Sequence, residues 1–301
     1  MESLSSYLRH PSKLIAGFLR HHGSFLSDEL FLKIQYRLRI GKKLDLNNPT
    51  SFNEKLQWLK LYDRKPEYSI MVDKYLAKKF VADKIGEEYI IPTLGVWDSA
   101  DEIDFNNLPN QFVLKCNHNS GGLVICKDKT KLNIAKAKSV LSEAMKQDYY
   151  YTGREWPYTN VRRKIIAEVY MEDVATKELR DYKFFCFDGV VKALFIASDR
   201  QNPNEETKFD FYDSDFNHLE CRNGHPNATV SPQCPQSFET MKKLASNLSI
   251  GIPHLRVDFY EIDGKVYFGE MTFYHNSGFV PFEPEEWDLK FGSWINLPKQ
   301  Q

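Results

Sequence analysis

The sequence predicts an α+β protein with more than one mostly antiparallel sheet. Two observations carry this. Before residue 110 the apolar residues recur at helical spacing, as in Phe52, Leu56, Leu59 and Tyr62. After residue 110 short strand-like runs dominate, interrupted by single helical stretches rather than alternating with them. A length of 301 residues with 42% hydrophobic side chains is enough for two or three packed lobes.

The elements follow in order. Residues 1 to 44 hold eight Lys/Arg against three Asp/Glu, with Leu14, Ile15, Phe18 and Leu19 at helical spacing. A basic amphipathic segment lies either on an anionic membrane surface or against its own protein; the second, plainer reading is the expectation here. In "PTSFNEKLQWLKLYDRK" Ser51 and Glu54 have capping-box spacing. "SIMVDKYLAKKFVADKIG" reads as one helix with Val72, Leu76 and Phe80 in line, stopping at Gly86. "YIIPTLGVWD" is short and extended. "NQFVLKCN" and "LVICKD" are strands flanking "HNSGG", and a helix runs from about Asn133 to Lys146. "RKIIAEVYM" is a strand, "RDYKFFCFDGVVKALFIAS" a hairpin about Asp188-Gly189, and "FDFYDSDF" a further strand. "SFETMKKLASNLSI" is helical, and "LRVDFYEIDGKVYFGEMTFYHNSGF" closes the chain's core as a hairpin.

Composition excludes some classes. A formal net charge of -1 argues against a nucleic-acid partner. No apolar run is long enough to span a bilayer, and no secretory signal is visible. Five cysteines without CxxC spacing point to free thiols and a cytoplasmic setting.

The closing hairpin carries charges where strands favour apolar residues. Alternation puts Arg256 with Asp258 on one face, and Glu270 with Thr272 on one face. A two-residue turn at Asp263-Gly264 would set Asp258 and Glu270 on opposite faces. A three-residue loop, with Gly264 in the left-handed conformation, brings all four together. Two facing carboxylates call for a cation between them, and Mg²⁺ (or Mn²⁺) suits a pair of carboxylates completed by water and phosphate oxygens. Arg256 beside it suits a phosphoryl oxygen. The competing reading is an Arg256–Asp258 pair on a wet sheet face.

Upstream, Lys115 ends a strand before Ser120-Gly121-Gly122, whose backbone amides can approach an anion. An ordinary hairpin loop is the alternative. Glu168, with the backbone of Val169 and Tyr170 after it, is placed to read an adenine edge. Asp181 and Lys183 share a strand face and suit ribose hydroxyls and phosphates. Each alone reads equally as an edge-strand charge; their order is what matters.

That order resembles the ATP-grasp superfamily from about residue 71 to 280. Asp73-Lys74 in "VDKYLAKKF" resembles the family's first lysine, Lys115 with "NSGG" its second, Glu168 its hinge glutamate and Asp181 its ribose carboxylate. Arg256, Asp258 and Glu270 resemble its terminal R-x-D…E-x-N. More narrowly, "PTSFNEKLQWLKLYDRK", "REWPYTNVRRKIIAEVY", "ELRDYKFFCFDG" and "GEMTFYHNSGF" resemble the TupA-like branch, associated with bacterial capsule and cell-surface polysaccharide synthesis.

The resemblance implies two α+β lobes clasping ATP, residues 71–178 and 179–301, behind a helical segment at 1–70, with the loop 116–122 as a lid. It implies an ADP-forming carboxylate–amine ligase joining an amino acid or other amine to a uronic acid through an acyl phosphate. Lys74, Lys115 and Lys183 would neutralise ATP, Asp258 and Glu270 would hold the metal, and Arg256 would stabilise the migrating phosphoryl group. Here Thr272 replaces the pattern's metal-binding Asn, with Asn276 as a substitute ligand. His118, Asn119, Arg163, Arg180 and His275 are the candidates for selecting the acid. The implied location is cytoplasmic, with peripheral association at the inner membrane face through the basic segment. Two alternatives remain: a metal-dependent glycosyltransferase using the Asp213/Asp215 DxD pair in "YDSDF", and a kinase on the same scaffold.

Overall fold

The computed structural model describes residues 11–173, 179–200 and 205–299. The first ten residues of the basic segment, and residue 178 at which the sequence ends its first lobe, lie outside the described residues.

Helices α1 (Pro11–His22) and α2 (Asp28–Ile40) open the chain. Phe31, Leu32 and Tyr36 of α2 are buried, and Gln35 donates to the Ala16 carbonyl of α1 at 2.8 Å, so the segment packs on its own protein. Leu14, Ile15 and Phe18 of α1 stay exposed. Among the described residues no helix is long and apolar enough to cross a membrane. Helix α3 (Phe52–Tyr62) starts at the expected capping box, with Ser51 and Glu54 satisfying each other's backbone amides. Phe52, Leu56 and Leu59 are buried as its spacing predicts, while Tyr62 in the last turn is exposed.

The single helix expected over 69–86 is two: α4 (Glu67–Val72) and α5 (Leu76–Ile85). Asp73 breaks it. Its carboxylate accepts from the Tyr75 and Leu76 amides at 2.8 and 3.2 Å, a local turn that competes with the continuing helix. The break shifts the buried face to Ala77 and Val81, leaves Leu76 exposed, and ties the Lys74 amide to the Asn117 carbonyl.

Two antiparallel sheets follow. The smaller joins β1 (Thr93–Trp97), β2 (Phe112–Cys116), β3 (Leu123–Cys126) and β4 (Ile165–Val169) in the order β1-β4-β2-β3. Its core of Phe112, Leu114, Ile165 and Ala167 is covered by Leu141 and Ala144 of α6 (Ile134–Lys146); a short helix α7 (Tyr149–Gly153) comes next.

The larger sheet runs β11-β10-β5-β6-β7-β8, built from β5 (Asp181–Phe187), β6 (Val190–Ser198), β7 (Lys208–Asp213), β8 (His218–Leu219), β10 (Leu255–Ile262) and β11 (Lys265–Thr272). β9 (Arg222–Asn223) and β12 (Phe282–Glu283) form a separate pair. The β5–β6 turn is Asp188-Gly189, as expected. Helix α8 (Phe238–Ser249) covers one face, with Phe238 stacked on Phe184 at 6.1 Å. On the other face Phe185 meets Phe52 of α3 and Phe291 of α9 (Glu286–Trp294), so the N-terminal helices share the larger sheet's core. Along β5 this aromatic packing gives way to Lys183 and Asp181, where the site begins.

The β10–β11 hairpin corrects one expectation. Its turn has two residues, Asp263 at φ 50° and Gly264 at φ 75°, with Ile262 opposite Lys265. The one-residue shift falls instead at Gly269, a β-bulge between Phe268, opposite Phe259, and Glu270, opposite Asp258. Without the bulge Glu270 would face the other side. A Cβ at Gly269 would lie 3.1 Å from the Asp258 carbonyl oxygen and 3.2 Å from the Tyr260 ring. We expect Gly269→Val to lower stability by about 1–3 kcal/mol, read as a shift of the urea midpoint. An unchanged midpoint would mean that the close approach is not there.

Candidate active site

The hairpin register builds the site. Lys183, Asp258 and Glu270 stand in one row across β5, β10 and β11, and Arg256 lies opposite Thr272 in the row beside it. Arg256 ties the rows together. Its Nε and Nη2 donate to the two oxygens of Asp258 at 2.8 Å each, and Nη2 also reaches Glu270 Oε1 and Thr272 Oγ1 at 3.1 Å. Lys183 donates to Asp181 Oδ1 at 3.0 Å and to Asp258 Oδ2, and Arg200 pairs with the other oxygen of Asp181. Four cations, Lys74, Lys183, Arg200 and Arg256, thus face three carboxylates, Asp181, Asp258 and Glu270. Such a balance leaves room for an anion.

The charges set each other's state. Burial alone would raise Glu270, but Lys74, Lys183, Arg256 and Lys115 outweigh it and hold the carboxyl at about 2. Asp181 is likewise pushed up by burial and brought below its ordinary value by Lys183 and Arg200. His275, buried, accepts from Arg256 Nη1 on Nδ1 at 2.9 Å, so its proton sits on Nε2, facing Asn223 Oδ1 at 2.9 Å. Burial first, and Arg256 second, hold His275 well below its ordinary range, and it is neutral.

Across the cleft the smaller sheet brings a second cluster. Glu168 pairs with Lys115 and Lys78 at 2.6 Å each. Burial favours its neutral form, yet the two lysines keep it ionised. The Val169 amide donates to the Pro92 carbonyl, and Tyr170 lies beside Lys127, 5.4 Å from its ring centre. Lys74, freed from the helix by the break at Asp73, donates to the Asn119 carbonyl at 2.7 Å and comes within 3.9 Å of Glu270 Oε2.

The Ser120-Gly121-Gly122 loop divides. Gly122, at φ 62°, leaves no space for a Cβ against Ala144 and Cys116, whereas Gly121 faces open space and exposed Ser120 lines the cleft beside Tyr149. His118 and Asn119 are buried, and Arg163 is spent on the Met145 and Lys146 carbonyls.

A hard cation fits this donor set in part. Glu270 presents Oε2 to the cleft without a hydrogen bond among the described residues, but both oxygens of Asp258 are held by Arg256 and Lys183. Thr272 Oγ1 accepts from Arg256, and Asn276 donates to Asn223 Oδ1 at 2.6 Å. Among the described residues no group of three or more His, Cys, Asp and Glu is gathered to hold a metal. Lys183 is on Oδ2 of Asp258 alone, so a phosphate that drew Lys183 away would leave that oxygen to Arg256 and a cation.

The DxD pair has different work. Asp213 accepts from the Asp215 and Asn217 amides and from Asn217 Nδ2, all within 2.9 Å, closing the turn after β7. Asp215 is exposed.

Comparison with known proteins bears on this geometry. The TupA-like ATPgrasp family model matches residues 54–296. The chain belongs to the TupA-like ATP-grasp family. Its two antiparallel sheets, with the charged cleft between them, are the ATP-grasp fold. No curated protein matches it in sequence. Among solved structures, it is similar to D-alanine–D-alanine ligase from Bacillus anthracis, complexed with ATP, at 17% identity over 67% of this chain and 53% of that one, with a TM-score of 0.39. It is also similar to D-alanine–D-alanine ligase from Helicobacter pylori, at 14% identity over 82% and 70%, TM-score 0.43. A third is D-cycloserine synthetase, at 16% identity over 88% and 77%, TM-score 0.41. The ATP-grasp chain thus spans about half the length of the first of these.

Several residues of the cleft have no counterpart in the sequence reading. Lys78 had a signal, one helical turn from Lys74. Arg20, Arg39, Glu155 and Arg200 had none, because each sits in an ordinary helix or loop.

Proposed function

We propose that this chain is an ATP-dependent carboxylate–amine ligase with residues 71–178 and 179–301 as its two lobes. The observation that carries the proposal is the row Lys183–Asp258–Glu270, spanned by Arg256, whose Glu270 end lines a cavity of about 320 Å³ together with Arg256 and Lys74. Phosphoryl transfer needs positioning and charge neutralisation more than a protein nucleophile. The substrate carboxylate attacks the γ-phosphorus of ATP, the bond to the β-phosphate oxygen breaks, and ADP leaves an acyl phosphate. The amine nitrogen then attacks the acyl carbon, phosphate departs with the C–O electron pair, and the nitrogen sheds a proton.

Lys74, Lys115 and Lys183 are the cations for the phosphates, with Ser120 and Gly121 at the loop. Asp181 is the carboxylate for the ribose, and Glu168 with the Val169 and Tyr170 backbone for the adenine edge. Arg256, aimed by Asp258, faces the developing charge on the transferred group. A bound Mg²⁺ or Mn²⁺ would neutralise phosphate oxygens; Glu270 and Asp258 are the residues that would hold it. A uronic acid of bacterial capsule or cell-surface polysaccharide, as the acid, is supported by the TupA-like membership alone. The exposed Leu14, Ile15 and Phe18 on α1 support association with a membrane surface.

The test supplies ATP, Mg²⁺, and glucuronate or UDP-glucuronate, with hydroxylamine in place of the amine. Hydroxamate should form only with ATP, and Asp213→Ala should leave the rate within about twofold, because Asp213 only closes a turn. UDP-sugar turnover that needs no ATP and disappears in Asp213→Ala would replace this reading by the glycosyltransferase. ATP-dependent phosphorylation of a hydroxyl without hydroxamate would make the chain a kinase.

A further inference from the structure

The cleft does not end at Glu270 and Arg256. It continues past Tyr149 and Tyr158 to Arg20, in the last turn of α1, and Arg39, in the last turn of α2. A cation in a helix's last turn ordinarily offsets the terminal dipole. That duty does not explain why two guanidinium groups from different helices enter one cleft. Arg39 is held below its ordinary value, first by desolvation and then by Arg20, so the two are close enough to repel. Among the described residues neither has a carboxylate within ion-pair distance. Arg39 instead lies 5.6 Å from the ring centre of Phe279, and both side chains remain accessible.

Glu155 is the carboxylate on this stretch of wall. It is 6% exposed. Burial raises it, and Lys60 behind it and Arg20 offset that in part. Its negative charge would repel a purely anionic ligand drawn in by the arginines. The wall is therefore complementary to a molecule that carries a positive charge beside a negative one.

Resting on the ligase reading above, we propose that this end of the cleft binds the amine substrate as a free amino acid, its carboxylate on Arg20 and Arg39 and its ammonium facing Glu155. The N-terminal helices then contribute to specificity, and the amine is distinguished from simple alkylamines by its carboxylate. Charge-assisted contacts to a guanidinium are strong enough for that discrimination.

Calorimetry on the full chain with ADP and Mg²⁺ tests this, using each standard L-amino acid and its decarboxylated counterpart. At least one amino acid should bind saturably, and its decarboxylated counterpart about tenfold more weakly or worse. Arg20→Ala and Arg39→Ala should each weaken that amino acid by about tenfold, with ADP affinity kept within about twofold. No amino-acid binding at concentrations up to about 10 mM, or binding that neither substitution changes, would overturn the inference. So would equal losses for ADP and the amino acid. Failure of the unsubstituted protein to bind ADP would instead overturn the ligase reading itself.

Discussion

Replacing Asp258 by Asn is expected to lower turnover by about a thousandfold and to loosen the fold as well. Asp258 is wholly buried, with Arg256 Nε and Nη2 on its two oxygens at 2.8 Å and Lys183 on one of them. An amide offers a single acceptor oxygen and no charge, so Arg256 and Lys183 lose the group that aims them at the cleft. Removing one partner of a buried ion pair costs about 3–5 kcal/mol. Here Lys183 keeps Asp181 and Arg256 keeps Glu270, which brings the expected loss nearer 2–3 kcal/mol. Complete burial between two cations is why the substitution reaches the fold as well as turnover. Urea unfolding, together with ADP release per folded molecule, separates the effects. Full turnover by the folded fraction would make Asp258 a structural residue only, and the proposed site would fail.

How much was legible depends on whether a residue breaks a local rule. Arg256, Asp258 and Glu270 stand out because strands with a buried face alternate, and charges among Val, Phe and Tyr violate the pattern. The capping box at Ser51 and Glu54 and the Asp188-Gly189 turn are local chemistry and came through intact. What aligns Asp258 with Glu270 did not. Gly264 is a conspicuous turn glycine and drew the register shift to itself, whereas Gly269, inside the strand, makes it. A strand glycine is a known mark of a bulge, but alternation counted from the wrong turn hides it. The break at Asp73 was masked in the same way, because apolar spacing runs on across it while the Asx turn acts through one carboxylate. Arg20, Arg39, Lys60 and Glu155 break no local rule. Only tertiary packing brings helices α1, α2 and α3 to the residues after β11, and no window of sequence contains that.

Lys60 and Glu155 form the second strong test, because single and double substitutions should diverge. Lys60 is fully buried in α3, 4.4 Å from the ring centre of Phe279. Its Nζ donates to Gln57 Oε1, the Ser277 carbonyl and Ser277 Oγ at 3.0, 2.8 and 3.1 Å. Ser277 in turn bonds the Glu155 carboxylate. Burial pulls Lys60 down to about 7, only partly opposed by Glu155, while an unfolded lysine titrates near 10.4. Between those values the unfolded chain binds more protons than the folded one. Stability therefore rises with pH across that window, and the full penalty of burying the ammonium is felt below its lower end. Lys60→Met removes the buried cation that reaches Glu155 through Ser277, and Glu155→Gln removes the anion; each is expected to cost about 1–3 kcal/mol. Lys60→Met/Glu155→Gln removes both charges and should return to within about 1 kcal/mol of the parent, with the rise above neutral pH gone. Urea midpoints of the four proteins at neutral pH and near pH 9 decide it. Losses that simply add in the double variant would show that the two charges do not act on each other through Ser277.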